Sequence, residues 1–282
     1  MNIDAHFHAW HLARGDYGWL TPTLAPIYRD VEIEHWARQA DVHHIPSGVL
    51  VQAAPSTAET LFLLEQAKRH PGRVLGVIGW VDLLAADAPA QIEALSRQPL
   101  LKGLRPMLQD IAQTDWIAQA AAQAALSAMA EAGLVFDALI QPRHLPVIAD
   151  LTRCHRNLRI VIDHGAKPDM RPGSDGAALQ LWRQDLQALA AQGPRVMCKL
   201  SGLWTEAPAG QPCEHVRPWA QALLEIWGPG QLIWGSDWPV LELAGSYAQW
   251  RDFSLNLLGP LAPAEQQAVL GGNARAMYRL EP

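Results

Sequence analysis

The chain of 282 residues has little cysteine and no long apolar run. Its three cysteines, Cys154, Cys198 and Cys213, are odd in number and lack the spacing of a metal site, which favours a reduced, cytoplasmic setting. The N-terminus does not show the charged, apolar and small-residue order of a secretion signal, and no stretch approaches the length of a membrane span. We therefore expect a cytoplasmic protein that has no membrane partner.

Charge is also scarce. Only 18% of the residues are charged, and the net charge is −6 with histidine neutral. The lysines and arginines are scattered along the chain, which argues against nucleic acid as a partner. No Gly-x-Gly-x-x-Gly motif or phosphate-binding loop follows any predicted strand, so the usual phosphate cradle of open α/β sheets is missing. A small molecule is the expected partner, and assembly into a homo-oligomer stays open.

Apolar sequence is abundant, at 49% of the chain, and it alternates between strand-like and helix-like stretches. Short, nearly continuous apolar runs are typical of parallel strands buried on both faces. Eight such strands are predicted, each followed by a helix, at residues 2–5, 48–52, 74–80, 101–105, 134–140, 158–164, 196–200 and 232–235. The pattern predicts a single-domain (β/α)₈ barrel of the TIM type over residues 1–282, with a doubly wound open sheet as the alternative.

The segment that follows the first strand is long and irregular. Residues 9–29 are rich in tryptophan, tyrosine, glycine and proline, and they show no periodicity. Connections of this length in compact domains are usually functional. We therefore predict a long lid loop after strand 1, placed over a site.

Two histidines close the first predicted strand at alternate positions. Alternate side chains of an extended backbone point to the same side, so His6 and His8 can reach one point together. A hydrogen-bonded pair without a function is the alternative. The odds of a shared site rise because His164 and Asp237 also end predicted strands, and active sites of such barrels lie at the carboxyl ends of the strands.

Asp237 lies among aromatic and small residues in the stretch 234–239, after the eighth predicted strand. Apolar surroundings raise the pKa of a carboxyl group, whereas neighbouring cations lower it. Next to histidines and Arg105, we expect Asp237 to stay ionised and to serve as a base. Capping of the next turn is the alternative role for Asp237, and a satisfied core position is the alternative for His164.

Several cationic and aromatic residues are also predicted near the strand ends. Arg105 offers a planar fork for carboxylate or hydroxyl oxygens, and Lys167 and Lys199 offer point charges. Tryptophan rings can cover the apolar face of a sugar, and the predicted substrate-binding tryptophans are Trp80, Trp204 and Trp238. Core packing is the alternative for each of these three tryptophans.

Six stretches of the chain resemble one known family. They are residues 4–8 (DAHFH), 79–82 (GWVD), 103–106 (GLRP), 162–168 (IDHGAKP), 198–202 (CKLSG) and 235–239 (GSDWP). In this order they resemble the amidohydrolase superfamily, and most closely its sugar lactonase branch, whose members act on L-fuconolactone, L-rhamnonolactone and 2-pyrone-4,6-dicarboxylate. The resemblance implies a (β/α)₈ barrel that opens a sugar-acid lactone to the aldonate, with Asp237 as general base.

The resemblance leaves the need for a metal open. Metal-dependent members of the superfamily add a lysine at strand four or a histidine at strand five, whereas this chain has Arg105 and no histidine there. His6, His8, His164 and Asp237 could still hold one divalent ion, with zinc the best match, because catalytic zinc needs three protein ligands and a water. The chain is expected either to require no cofactor or to use one divalent metal.

Two other functions remain open at this point. Related barrels decarboxylate aromatic or enol acids, a reaction that would require a metal. A barrel that binds sugar without turnover would keep the tryptophans and would not need Asp237 as a base. The three possibilities differ in what is released from a lactone or an acid: a proton, carbon dioxide or nothing.

Overall fold

The computed structural model describes residues 1–171 and 176–281, and it contains a sheet of eight parallel strands in chain order. The strands are β1 (Ile3–Phe7), β2 (Ser47–Val51), β3 (Val74–Gly79), β4 (Leu101–Leu104), β5 (Val135–Ala138), β6 (Arg159–Ile162), β7 (Val196–Leu200) and β8 (Leu232–Trp234). Two backbone bonds link β1 to the end of β8: Asp237 N–H donates to His6 O and His8 N–H donates to Trp238 O, each over 2.8 Å. The predicted barrel is confirmed.

Helices surround the barrel. They are α1 (Ile33–Val42), α2 (Thr57–Arg69), α3 (Ala88–Ser96), α4 (Ala120–Glu131), α5 (Leu145–Cys154), α6 (Gly176–Ala190), α7 (Arg217–Trp227), α8 (Tyr247–Leu258), α9 (Pro263–Gln267) and α10 (Asn273–Tyr278). Their apolar residues recur at helical spacing, as in α1, where Ile33, Trp36 and Ala40 are buried. Residues 172–175, between β6 and α6 in the sequence, lie outside the described residues.

Two apolar layers hold this architecture together. The larger layer packs the outer faces of the strands against the helices. The smaller layer fills the barrel interior with residues such as Ala5, Val49 and Val161, and the C-terminal residues Met277 and Tyr278 join it. Gly271, in the turn before α10, packs against the start of β1, and Asn273, the first residue of α10, donates to Leu232 O over 2.7 Å, so these residues cover the amino ends of β1 and β8. The carboxyl ends are therefore the end of the barrel available to a site.

The segment between β1 and α1 runs past those carboxyl ends. It contains two short 3₁₀ turns, at Leu12–Arg14 and Pro22–Leu24, and an antiparallel bridge between Trp10 and Val31. The indole N–H of Trp19 donates to Ala53 O over 2.7 Å, which ties the segment to the loop after β2. Trp19 and Leu24 of this segment line the cavity described below, whereas the role of the segment as a lid stays a prediction. Among the described residues, no helix is long and apolar enough to cross a membrane.

Candidate active site

A cavity of about 280 Å³ opens at the carboxyl ends of the strands. Its wall comes from the loops of most strands and from the segment after β1. The polar and aromatic lining residues are His8, Trp19, Arg105, Gln109, Asp110, His164, Lys167, Thr205, Glu206 and Asp237. Leu24, Ala53, Met107, Leu139, Val240 and Leu243 complete the wall with apolar surface. A small, largely apolar cleft with a few convergent polar groups is typical of a small-molecule site.

Asp4, which is buried at the start of the histidine motif, holds the two ends of the site together. One carboxylate oxygen of Asp4 accepts the backbone N–H of Ser236 over 2.8 Å, and the other accepts Trp36 Nε1 over 2.8 Å and Tyr247 Oη over 3.0 Å. These bonds fix β1 against the loop after β8. The role of Asp4 is therefore to position His6 and Asp237 across the barrel seam.

The three predicted histidines surround the predicted base. The Nε2 atoms of His8, His6 and His164 lie 3.3, 3.5 and 3.8 Å from Asp237 Oδ1. All four side chains are buried, with at most 4% of each residue exposed. The structure thus brings together the four residues expected to carry the chemistry.

His164 sits differently from the prediction. Strand β6 ends at Ile162, and His164 lies in the following turn, Asp163–Ala166, with a left-handed backbone at φ 53°. Asp237 is left-handed as well, at φ 60°. Non-glycine residues rarely adopt this conformation, and such strain concentrates at functional sites. The turn aims the ring of His164 into the cavity, where its Nδ1 lies 2.9 Å from Ser201 Oγ.

Gly202 makes room for that ring. A Cβ atom at this position would lie 2.3 Å from His164 Nδ1, and the residue has φ +59°. Any side chain at position 202 would therefore displace the imidazole and strain the backbone. The glycine of the motif 198–202 is explained by this close approach.

The electrostatics keep Asp237 ionised. Burial acts to raise the pKa of this carboxyl group, but His164, His8 and His6 together bring it below the ordinary aspartate range. Burial, reinforced by the charge of Lys199, lowers the pKa of His6 well below its usual value, and burial lowers that of His164. The site therefore holds an ionised Asp237 beside His6 and His164, whose charged forms are disfavoured by burial.

Arg105 is both a cavity residue and part of the barrel frame. Its guanidinium pairs with Asp163 over 3.3 Å and donates to Gln52 Oε1 over 3.0 Å, and only 3% of the residue is exposed. The Gln52 side chain donates back to Arg105 O over 2.9 Å. The predicted substrate contact is compatible with this placement, because Arg105 also lines the cavity.

Lys167 lines the cavity as predicted for a substrate-binding residue, and it pairs with Glu206 over 2.7 Å. Lys199, by contrast, has no exposed surface. Its ammonium lies 2.6 Å from Asp137 and 2.9 Å from Asp163, behind His6. The predicted contact between Lys199 and substrate does not fit this placement, because the imidazole of His6 lies between the ammonium and the cavity.

The three predicted tryptophans do not line the cavity. Trp204 and Trp238 are buried, with their indole N–H groups on Gln211 O and Glu242 Oε1 over 2.9 and 2.7 Å. Trp80 is half-buried beside α2, where its carbonyl accepts Thr60 Oγ1 over 2.9 Å. Core packing, the alternative role, therefore fits these three tryptophans. The tryptophan in the cavity wall is Trp19, from the predicted lid.

Other residues of the site escaped the sequence reasoning. Asp163 binds Arg105, and Glu206 holds Lys167 in the cavity wall. Asp163 directly precedes His164 at the end of an apolar strand, and a carboxylate in that position could have been noticed. Glu206 and Trp19 lie in irregular segments, where no periodicity marks which side chains turn inward.

The imidazole and carboxylate groups of this cluster are suitable ligands for a divalent ion. Ligand atoms of His6, His8 and Asp237 lie within 4.8 Å of one another, and two imidazoles with a carboxylate suit zinc. His8 Nδ1 is 2.8 Å from Val51 O, the outer partner that metal-binding histidines usually have. The cations Lys199 and Arg105 lie 3.2 and 3.4 Å from the two ring nitrogens of His6, which opposes a metal on that side.

Comparison with known proteins agrees with this geometry. The model of the amidohydrolase family matches residues 3–280. An L-fucono-1,5-lactonase of Burkholderia ambifaria is 43% identical over all of this chain and 96% of its own length. One of Burkholderia multivorans is 33% identical over 99% of this chain and 96% of its own.

A solved structure resembles the whole molecule. It is an amidohydrolase of Burkholderia multivorans with bound zinc, which superimposes with a TM-score of 0.92 at 33% identity and full coverage of both chains. Membership of one family therefore explains the six motifs, the barrel and the cluster of histidines and Asp237. The chain belongs to the amidohydrolase family.

Proposed function

We propose that this protein is a lactonase that hydrolyses a sugar-acid lactone of the L-fucono-1,5-lactone type to the open aldonate. The observation that carries the proposal is the ionised Asp237 at a cavity of about 280 Å³, with Nε2 atoms of three histidines 3.3, 3.5 and 3.8 Å from one of its oxygens. The names of two relatives that match nearly the whole chain supply the substrate class. A cytoplasmic location accords with such a small-molecule substrate.

Asp237 accepts a proton from the attacking water. Its carboxylate lines the cavity, and the left-handed backbone at φ 60° turns it toward the barrel mouth. A carboxylate with a lowered pKa is a weak base, so the attack depends on a reactive carbonyl and on stabilised charge at the carbonyl oxygen. Lactones provide the reactive carbonyl, because they are activated relative to amides.

Imidazole N–H groups and Arg105 supply the stabilisation. His164 and Arg105 line the same cavity as Asp237, and both carry N–H groups that can donate to the carbonyl oxygen of a bound lactone. When the tetrahedral adduct collapses, the bond between the carbonyl carbon and the ring oxygen breaks. Asp237 then returns its proton to the departing oxygen, and the new carboxylic acid releases a proton to solvent.

Lys167 and the apolar wall orient the substrate. The Lys167 ammonium can bind substrate hydroxyl oxygens while Glu206 holds it in place at 2.7 Å. Leu24, Met107 and Val240 offer apolar contacts for carbon–hydrogen faces of the sugar. Trp19 adds an aromatic face from the segment after β1.

We propose further that turnover proceeds without a metal, although His6, His8 and Asp237 would hold zinc where it binds, with His164 as a further neighbour. Bound zinc would polarise the carbonyl and acidify water. Lys199 and Arg105 beside His6 weaken the binding of a dication, and the donors described above supply the charge stabilisation that the reaction needs.

The proposal is tested by incubating the protein with L-fucono-1,5-lactone and a pH indicator. Proton release supports a lactonase, gas release from an aromatic acid would indicate a decarboxylase, and binding without turnover a sugar-binding barrel. Asp237→Asn should lower kcat by about a hundredfold or more. Asp252→Asn, on the exposed face of α8, is the matched control and should leave kcat unchanged. Near-normal turnover by a folded Asp237→Asn protein would remove the assigned base.

A further inference from the structure

Lys199 is a buried cation without a role in the proposed reaction. It has no exposed surface, and its ammonium has three hydrogens to donate. The ammonium donates to Asp137 Oδ2 over 2.6 Å and lies 3.2 Å from His6 Nδ1, and it forms an ion pair with Asp163 Oδ1 at 2.9 Å. Lysine has no acceptor of its own, so His6 Nδ1 can bind it only with a lone pair. This contact constrains where His6 carries its proton.

A neutral imidazole has one N–H group and one lone pair. With Nδ1 facing Lys199, the hydrogen of His6 lies on Nε2. The Nε2 atom is 3.2 Å from His8 Nε2 and 3.5 Å from Asp237 Oδ1, and both of these can accept it. His8 Nδ1 lies 2.8 Å from Val51 O, which can only accept, so Nδ1 carries a hydrogen and Nε2 is the atom of a neutral His8 that has the lone pair.

We propose that Lys199 is a positioning residue that fixes the proton of His6 on Nε2, and that it thereby disfavours zinc at the cluster of His6, His8 and Asp237. The hydrogen bonds then run in one direction, from Lys199 through His6 and His8 to the carbonyl of Val51. His6 offers its N–H group to the site. A zinc ion would bind through the lone pair of His6 Nε2. The proton of His6 would then have to lie on Nδ1, where it would face the ammonium of Lys199.

The opposite tautomer has poorer partners. With the proton on Nδ1, His6 would donate to Asp163 Oδ1 at 3.7 Å, beyond hydrogen-bond reach, and would face the ammonium at 3.2 Å. This tautomer would gain a hydrogen bond from Arg105 Nη1, which lies 3.4 Å from His6 Nε2. Arg105 Nη1 already donates to Asp163 Oδ2 over 3.3 Å. An imidazolium would lie between two cations. The shorter contacts therefore select the proton on Nε2.

The first test reads the tautomer of His6 with Lys199 unchanged. In the zinc-free protein labelled with ¹⁵N-histidine, the His6 signals are assigned by their loss in His6→Asn and read in a two-bond ¹H–¹⁵N correlation. We expect Nε2 to carry the proton and Nδ1 to be bare. A protonated Nδ1 would overturn the proposal whatever the activity of the protein. Because this measurement uses no substrate, its failure is separate from failure of the proposed lactonase.

The second test measures zinc affinity by competition with a chromophoric chelator. Lys199→Met alone leaves Asp137 without its cation, so Lys199→Met/Asp137→Asn is used to keep the net charge and the bond from Tyr278 Oη to position 137. We expect the double variant to bind zinc at least about tenfold more tightly than the unchanged protein.

Asp137→Asn alone is the matched control. It keeps Lys199 beside His6, so zinc affinity should stay the same or fall, since a negative charge is lost. In the double variant, the ¹⁵N spectrum should show His6 free to place its proton on Nδ1. Unchanged zinc affinity in the folded double variant, or tighter binding in Asp137→Asn alone, would overturn the role assigned to Lys199.

Discussion

Glu59, in the first turn of α2, should make the stability of the protein depend on pH. The residue is fully buried, and its carboxyl group accepts the backbone N–H groups of Ala53 and Ala54 over 3.0 and 2.7 Å. Burial raises the pKa of Glu59 from 4.5 to about 7, against the effect of these bonds. In the unfolded chain the pKa of Glu59 returns to its ordinary value. Between these two pKa values the folded state therefore binds more protons than the unfolded state.

The sign and size of the effect follow from this difference. The contribution of Glu59 to the free energy of unfolding is fully present below pH 4.5 and is lost as the pH rises through about 7. One pKa unit corresponds to about 1.36 kcal/mol. Between about pH 5.5 and about pH 8, the unfolding free energy should fall by about 2 kcal/mol through this group alone. No allowance for solvent screening is needed, because Glu59 is 0% exposed.

Equilibrium unfolding in urea, followed by tryptophan fluorescence at the two pH values, measures this contribution. Glu59→Gln removes the titration, so the stability difference between the two proteins should change by about 2 kcal/mol. Glu65→Gln, on the exposed side of the same helix, is the control and should leave the pH dependence unchanged. If the difference between the unchanged protein and Glu59→Gln were the same at both pH values, the raised pKa would be refuted.

Three further predictions concern the cavity. Arg105→Lys should raise KM about tenfold and also lower Tm, because the planar fork binds both Gln52 and Asp163; unchanged kinetics and Tm would contradict both roles. Trp19→Ala should raise KM more than Trp19→Phe, which keeps the ring and loses the bond to Ala53; equal effects would count against ring contact. Dialysis against a chelator should leave most lactonase activity, and loss that stoichiometric zinc restores would show that the reaction needs the metal.

The barrel and its upper ring of reactive residues could be predicted because both follow from simple periodicities. Eight apolar runs separated by helices specify a parallel barrel, and such barrels carry their sites at one end. Alternation along β1 places His6 and His8 on one side. Asp237 could be predicted because it follows the eighth strand, at the same end of the barrel as the two histidines. These inferences required no knowledge of which loop contacts which.

How deeply each side chain lies inside the barrel could not be predicted from the sequence. The alternation of β7 shows which face Lys199 occupies, but it does not show whether the side chain reaches solvent. Its partners come from β5 and from the turn after β6, and strand spacing in the sequence does not reveal which residues share a layer. The position of the His164 ring could not be predicted from β6 alone, because the ring needs the space left by Gly202 in the loop after the next strand.

The charged groups beneath the site are themselves an argument for function. Arg105, Asp163, Lys199 and Asp137 form a continuous buried chain of ion pairs, with distances of 3.3, 2.9 and 2.6 Å. Desolvating such groups costs several kcal/mol per ion, and apolar residues of similar volume often stabilise a core equally well. The fold alone therefore gives little reason to retain them. Their two positive and two negative charges cancel, which leaves the negative charge of Asp237 for the histidines and the substrate.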